Sequence, residues 1–287
     1  AEVIMAAGAI QTPQILELSG IGNPSTLQSM GIPVLHSLAG VGNDYVDHFA
    51  TRMNWRVKGT QTLNEITRGW RLGLAVAEYF CHHTGVLTLG TGLVFGFVKS
   101  RPELETPDVQ YFFVHASYAN AAERKLDREP GMTLGVAQMR PQSRGSIHVC
   151  SPDPFMAPAI RPNMLGCEVD QDSLIRGMEI ARRIVGRSAM RPYIDFETSP
   201  RSDIDTRDKW LDFARHNGQT IYHPMGTCRM GSDSMAVVDP RLRVNGLAGL
   251  RIVDASVMPS MVSGNIQAAV MMVAEKGADL ILADSRI

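Results

Sequence analysis

The sequence predicts an α/β plus α+β architecture, in which an α/β domain supplied by both ends of the chain is interleaved with an antiparallel-sheet domain supplied by the middle. Three observations carry this. Residues 2–10 read as a buried apolar strand running into Gly8 and then a helix, the order of an α/β unit. The order recurs near the other end, where the strand Arg251, Ile252, Val253 meets acidic Asp254, a Pro and Gly loop, and a helical run over 268–282. Between them Arg52, Asn54 and Arg56 alternate with Met53, Trp55 and Val57, the period of a half-buried strand. Interruptions near 50 and 200 then divide the chain into 1–50 and 201–287 for the α/β domain and 51–200 for the sheet domain.

Each element has a local reason. Thr12 followed by Pro13 reads as an N-cap with proline at the first helical position, and Ser19 with Gly20 stops that helix after Ile15 and Leu18. Residues 31–34 suggest a short strand, and Gly40, Val41, Gly42 and Asn43 a glycine loop. Asp47 and His48 follow; they fit either a catalytic dyad or a local hydrogen bond. A helix is expected over 70–80 with His82 and His83 at its end. Adjacent residues on a helix point in different directions, which suits dipole-favoured surface histidines better than metal ligands. Strands are expected over 108–116, 132–139 and 147–150. Few helices separate them, as in an antiparallel sheet covered on one face. Residues 171–185 set Leu174, Ile175, Met178, Ile180 and Ile184 against Arg176, Arg182 and Arg183, an amphipathic helix with a solvated basic face, and a further helix is expected over 206–216.

Composition narrows the function classes. The 287 residues suffice for one large core or two smaller ones. With 28 Lys plus Arg against 29 Asp plus Glu, the charge balance offers nothing to nucleic acid. No run approaches the roughly 18 apolar residues of a membrane span, and no signal-peptide pattern occurs. Cys81, Cys150, Cys167 and Cys228 lack the paired spacing of a metal site or disulfide framework, so a reducing, cytoplasmic compartment and no metal are expected.

The densest chemistry lies in residues 220–231, TIYHPMGTCRMG. Pro224 fixes its own φ and pushes His223 into the extended region, so that imidazole stands on a stiff, non-helical backbone. Cys228, five residues on, reads as a buried inert thiol rather than the nucleophile of a Cys-His pair. Asn265 falls at a helix N-terminus, where free N–H groups favour electron-rich ligands.

These stretches carry a resemblance. TIYHPMGTCRMG, the run LRIVDASVMPSMVSGN (250–265) and GAIQTPQILELSGIG (8–22) are similar to signatures of the glucose-methanol-choline (GMC) family of FAD-dependent oxidoreductases, and with the RPQSRG run (140–145) they resemble its choline-dehydrogenase-like branch most. The resemblance implies an FAD-binding Rossmann-like domain with FAD as cofactor. Its usual Gly-rich phosphate loop is missing, since no GxGxxG occurs and Gly40, Val41, Gly42 comes nearest; the expectation is the C-terminal part of a longer protein. It further implies that Ala7 and Gly8 lie near the adenosine half of FAD, Asp254 and Ala255 near its phosphate–ribityl region, and the amides of Ile266 and Gln267 near the pyrimidine end of the ring.

The implied reaction is oxidation of a small primary alcohol to the aldehyde, with hydride transfer to flavin N5 and oxygen or a quinone-like carrier as final acceptor. A hydroxyl needs a base of near-neutral pKa within hydrogen-bond reach, which suits His223. By family position Asn265 would hold the oxygen as charge develops. Two other readings stand beside this one: a flavin-containing lyase on the same scaffold, and an inactive C-terminal fragment that needs an N-terminal partner.

Overall fold

The computed structural model describes residues 2–90, 92–120 and 125–284. The chain opens with β1 (Val3–Met5), shorter and more exposed than the strand expected to residue 10, because Gly8 at φ +82° turns the chain directly into α1 (Gly8–Leu18). The helix therefore begins four residues before the expected cap at Thr12, with Ala7 in the N-cap position and Pro13 inside it. Thr12 is engaged elsewhere: its hydroxyl donates to Asp254 at 2.6 Å and accepts from the Ala7 amide at 3.2 Å. Proline at 13 leaves the Ala9 carbonyl without its helical donor, and the Thr227 hydroxyl donates to that carbonyl at 2.6 Å.

Next come β2 (Ile21–Gly22), α2 (Pro24–Ser29), capped by Asn23 with proline at N1, and β3 (His36–Ser37), which pairs in parallel with β2. The strand expected over 31–34 is thus displaced to 36–37, beyond the turn that Gly31 makes at φ +70°. The middle of the chain gives β4 (Phe49–Val57), α3 (Leu63–Ile66) with a Thr62–Glu65 capping box, and α4 (Gly69–His82), which ends at His83 in the left-handed region. Then follow β5 (Val94–Val98), β6 (Val109–Val114), β7 (Tyr118–Asn120), β8 (Lys125–Leu126) and β9 (Gly131–Gln138). After these lie β10 (Ser146–His148), β11 (Ala159–Arg161), α5 (Glu168–Val185) and β12 (Ile194–Ser199). The chain closes with α6 (Arg207–Asn217), β13 (Gln219–Thr220), β14 (Leu250–Ile252) and α7 (Gln267–Asp284).

Two compact units result. The first comprises Ala1–His48, Met139–Asp170 and Thr220–Ile287. Its β1 and β14, from opposite ends of the chain, run parallel with Val3 opposite Leu250 and Met5 opposite Ile252. Leu16, Val41, Val46, Met225, Val238 and Ile252 lie in one core. Residues 139–170 belong here, unlike the division at 50 and 200. The buried Glu17 of α1 explains this: it accepts from the Val149 amide at 2.8 Å and pairs with the His148 ring at 2.6 Å, holding β10 against the helix.

The second unit, Phe49–Gln138 and Gln171–Gln219, is built on an antiparallel sheet in the order β12-β4-β9-β6-β5, as the alternating pattern predicts. Along β4 the apolar Met53, Trp55 and Val57 are buried and Arg52, Asn54 and Arg56 half-buried, whereas the central β9 is buried throughout. α5 covers the sheet at close range. Tyr111 donates to the Gly177 carbonyl at 2.7 Å, and a Cβ at Gly177 would stand 2.9 Å from Val136. Arg182 is not on a solvated face: it forms a bidentate pair with Glu197 at 2.7 and 2.9 Å, and its guanidinium lies 4.4 Å from the centre of the Trp210 ring.

Candidate active site

His223 sits in a loop whose shape is imposed by its neighbours. Tyr222 before it has φ +66°, Pro224 follows, and Gly226 at φ +85° passes so close to Asp44 that a Cβ there would stand 2.5 Å from that carbonyl. The loop runs antiparallel to the segment before β4. Val46 and Met225 exchange amide–carbonyl bonds of 3.1 and 2.9 Å, and the Ile221 amide donates to the His48 carbonyl at 3.1 Å. Asp47, 3 % exposed, ties the two together. Its carboxylate accepts from the His223 amide at 2.9 Å, from the Tyr45 hydroxyl at 2.8 Å and from the Thr220 hydroxyl. Burial, and then the adjacent Asp47 charge, push the Tyr45 phenol up, so it remains a donor.

The His223 ring is half-buried and has two partners. Its Nδ1 lies 2.9 Å from Nδ1 of His48, the rings meeting edge-on at 83° with centroids 5.2 Å apart, and its Nε2 lies 3.3 Å from Nδ2 of Asn265. His48 is fully buried, with Nε2 3.2 Å from the Met139 carbonyl. Burial first, and then the neighbouring His223, lower the His48 pKa from 6.5 to about 4, against the opposing pull of the Met139 and Val262 carbonyls. His223 is also lowered by burial, with the Asp47 charge acting in the other direction. Both rings are therefore neutral at physiological pH, which leaves a lone pair on His223 for a proton.

Asp47 and His48 thus make no dyad with each other. The carboxylate braces the backbone of His223 and the imidazole braces its ring. Their adjacency in sequence was the available signal; the partner 175 residues away was not visible. Asn265 is exposed on the loop before α7 and lies two residues ahead of the helix rather than capping it, since the Ile266 carbonyl accepts the Val270 amide at 2.9 Å. Cys228 is fully buried, and burial, then the Asp254 charge, push its thiol up, which makes it a poor nucleophile.

The residues expected at a cofactor form a second cluster in the same unit. The Asp254 carboxylate accepts from the Gly8 amide at 2.9 Å, the Thr12 hydroxyl at 2.6 Å and the Ser256 amide at 2.8 Å, so it pins the start of α1 to the turn after β14. Ala7 and Ala255 flank that junction. The position a Cβ would take at Gly8 is open space, so a ligand can approach the backbone there. Ile266 is buried and Gln267 exposed, and the first-turn amides of the 18-residue α7 have no intrahelical acceptor. The open backbone at Gly8 leaves room for the adenosine half of FAD expected there, and a helix start of positive dipole suits the electron-rich ring edge.

Solved structures place this fold among oxidases. Formate oxidase from Aspergillus oryzae RIB40, studied for modification of its FAD, superposes with a TM-score of 0.89 and 25% identity over 99% of this chain and 54% of that one. Pyridoxine 4-oxidase from Mesorbium loti gives 0.82 and 25% over 97% of this chain and 50% of that one. Two family models described as GMC oxidoreductase match residues 1–50 and 141–274. The chain belongs to the GMC oxidoreductase family, whose cofactor is FAD. Among curated relatives, the oxygen-dependent choline dehydrogenases of Cronobacter sakazakii and Escherichia coli O45:K1 are each 38% identical over 280 residues, covering 98% of this chain and 50% of theirs. The chain spans about half the length of the relatives it matches. Among the described residues no helix is long and apolar enough to cross a membrane.

Proposed function

We propose that this chain carries the catalytic part of an FAD-dependent enzyme that oxidises a small primary alcohol to its aldehyde, with His223 as the base that takes the hydroxyl proton. The observation that carries the reading is the placement of a neutral, doubly braced imidazole 3.3 Å from the Asn265 amide, so that one substrate oxygen can meet an acceptor for its proton and a donor for its developing charge. FAD supplies, when bound, the acceptor for the hydride that leaves the adjacent carbon. Ala7 and Gly8 at the start of α1, Asp254 and Ala255 after β14, and the Ile266 and Gln267 amides are the groups that would hold it. Asp254 acts there chiefly by orienting the Gly8 and Ser256 amides, because its oxygens already take three donors. The relatives named oxygen-dependent choline dehydrogenase support an alcohol donor and oxygen as acceptor.

The test is anaerobic addition of a panel of primary alcohols, choline included, to the FAD-loaded protein, with flavin absorbance as the readout. Bleaching in the parent and loss of at least about a hundredfold in rate in His223→Ala, with flavin retained, is the expected result. An unimpaired rate in the variant removes His223 from the base role.

A further inference from the structure

The two facing imidazoles have four ring nitrogens, and of the Met139 and Val262 carbonyls that act on His48, the one at Met139 faces Nε2 and orders them. The Met139 carbonyl can only accept, so the His48 Nε2 that lies 3.2 Å from it carries a hydrogen. His48 is fully buried and neutral, so its Nδ1 then bears a lone pair. That nitrogen is 2.9 Å from His223 Nδ1, a distance two lone pairs would not tolerate. The hydrogen between them therefore belongs to His223 Nδ1. In neutral His223 this leaves the lone pair on Nε2, directed at Asn265, whose Nδ2 is the atom of that amide able to donate to it.

We infer that His48 is a positioning residue that locks His223 in the Nδ1–H tautomer, so that the basic lone pair stands on Nε2 beside Asn265. An isolated histidine exchanges its proton between the two nitrogens; here the chain from Met139 through His48 selects one. His48 performs this task because it is kept from protonating: burial and the second ring hold its pKa at about 4. A charged His48 would present a hydrogen on Nδ1 and reverse the order. Asp47 supports the same arrangement from the other side, since its bond to the His223 amide fixes the backbone from which the ring projects.

The tautomer is a property of the chain, whereas its kinetic consequence rests on the reading of His223 as the base. Long-range proton–nitrogen NMR of the protein labelled with [15N]histidine reads the tautomer without any substrate. Expected at neutral pH are a protonated Nδ1 and an unprotonated Nε2 on His223, and the opposite pattern on His48; a protonated Nε2 on His223 overturns the inference. His48→Asn, which offers an amide oxygen near the lost Nδ1, should keep the His223 pattern, and His48→Phe, which offers no acceptor, should lose it. Retention in the phenylalanine variant also overturns the inference. Should His48→Phe not fold, the parent spectrum and His48→Asn still decide. In the FAD-loaded protein, His48→Phe should slow alcohol-driven flavin reduction roughly ten- to a hundredfold with little change in KM, and His48→Asn should recover most of that loss. An unaltered rate in His48→Phe would overturn the positioning role. If His223→Ala reduces flavin normally while the NMR pattern holds, the base assignment fails and the tautomer assignment stands.

Discussion

The two compact units are held together by different means. In the first, buried charged side chains join residues that are far apart in sequence: Glu17 reaches the Val149 amide across 132 positions, Asp47 the His223 amide across 176, Asp254 the Gly8 amide across 246, and Arg251 the Glu2 carboxylate across 249. In the second, β4, β9, β6 and β5 are joined by continuous ladders in which β9 and β6 are paired on both sides. A ladder is redundant, and losing one contact leaves the others. A single buried carboxylate is not, because its donors are orphaned together when it is removed. The residues proposed for the site lie in the first unit, where position depends on few groups.

Acidification should separate the two kinds of unit most. The His48 pKa is about 4 in the folded chain against 6.5 as its ordinary value, so the unfolded chain binds the extra proton first and stability falls as pH drops through that window. The loss by pH 4 should be about 3 kcal/mol, read from denaturant midpoints, and His48→Phe should flatten it. A midpoint in the parent that does not move between pH 6.5 and 4 would contradict the burial of a neutral ring. The same direction holds for His223, which is lowered by burial, so the acid limb of flavin reduction should fall below pH 6.5.

Asn265→Ala should slow flavin reduction about a hundredfold, equivalent to about 2.7 kcal/mol of barrier, with stability unchanged because the side chain is exposed. A change confined to substrate binding would make it a binding group alone. Asp47→Asn keeps the shape and replaces an acceptor by an amide that must find room for two hydrogens beside three existing donors. The expected cost is about 2 kcal/mol of stability, with slower reduction as His223 loses its anchor. A variant as stable as the parent would show that the loop is held by its backbone bonds to residues 46 and 48.

The smallest effect is expected in the ladder. Gly177→Ala places a methyl 2.9 Å from Val136 and should cost about 1 kcal/mol, because α5 can lift slightly while the sheet beneath keeps its register. A loss of several kcal/mol would mean that the second unit is as brittle as the first.

Legibility in the sequence follows the same division. The alternation in β4 and the amphipathic pattern of α5 reveal the second unit because their information is local. In the first unit local rules misled at Thr12, which looks like a helix cap but serves Asp254 instead, while Pro13 is tolerated inside α1 because Thr227 compensates it. The second unit has one exception: Arg182 does not lie on a solvated face, because its partners Glu197 and Trp210 are on other elements of that unit. At the proposed site, Pro224 and the motif around it single out His223, and its place ahead of a helix singles out Asn265; that their side chains meet, 3.3 Å apart, is set by the fold. The role of His48 was not, since an Asp-His pair in a loop says nothing about which of its members faces a ring 175 residues away.

The sequence by itself determined the mixed α/β and antiparallel architecture and the family through three ordered motifs, and it singled out the histidine and asparagine proposed for the site. These rest on periodicity, backbone restriction and side-chain chemistry, which act over a few neighbouring residues. The tertiary structure alone decided that residues 139–170 join the first unit, that Asp47 and His48 serve His223 rather than each other, and that a carbonyl after β9 orders the protons of two imidazoles. Those outcomes depend on hydrogen-bond direction between groups brought together by folding, and direction in space is what a linear pattern does not hold.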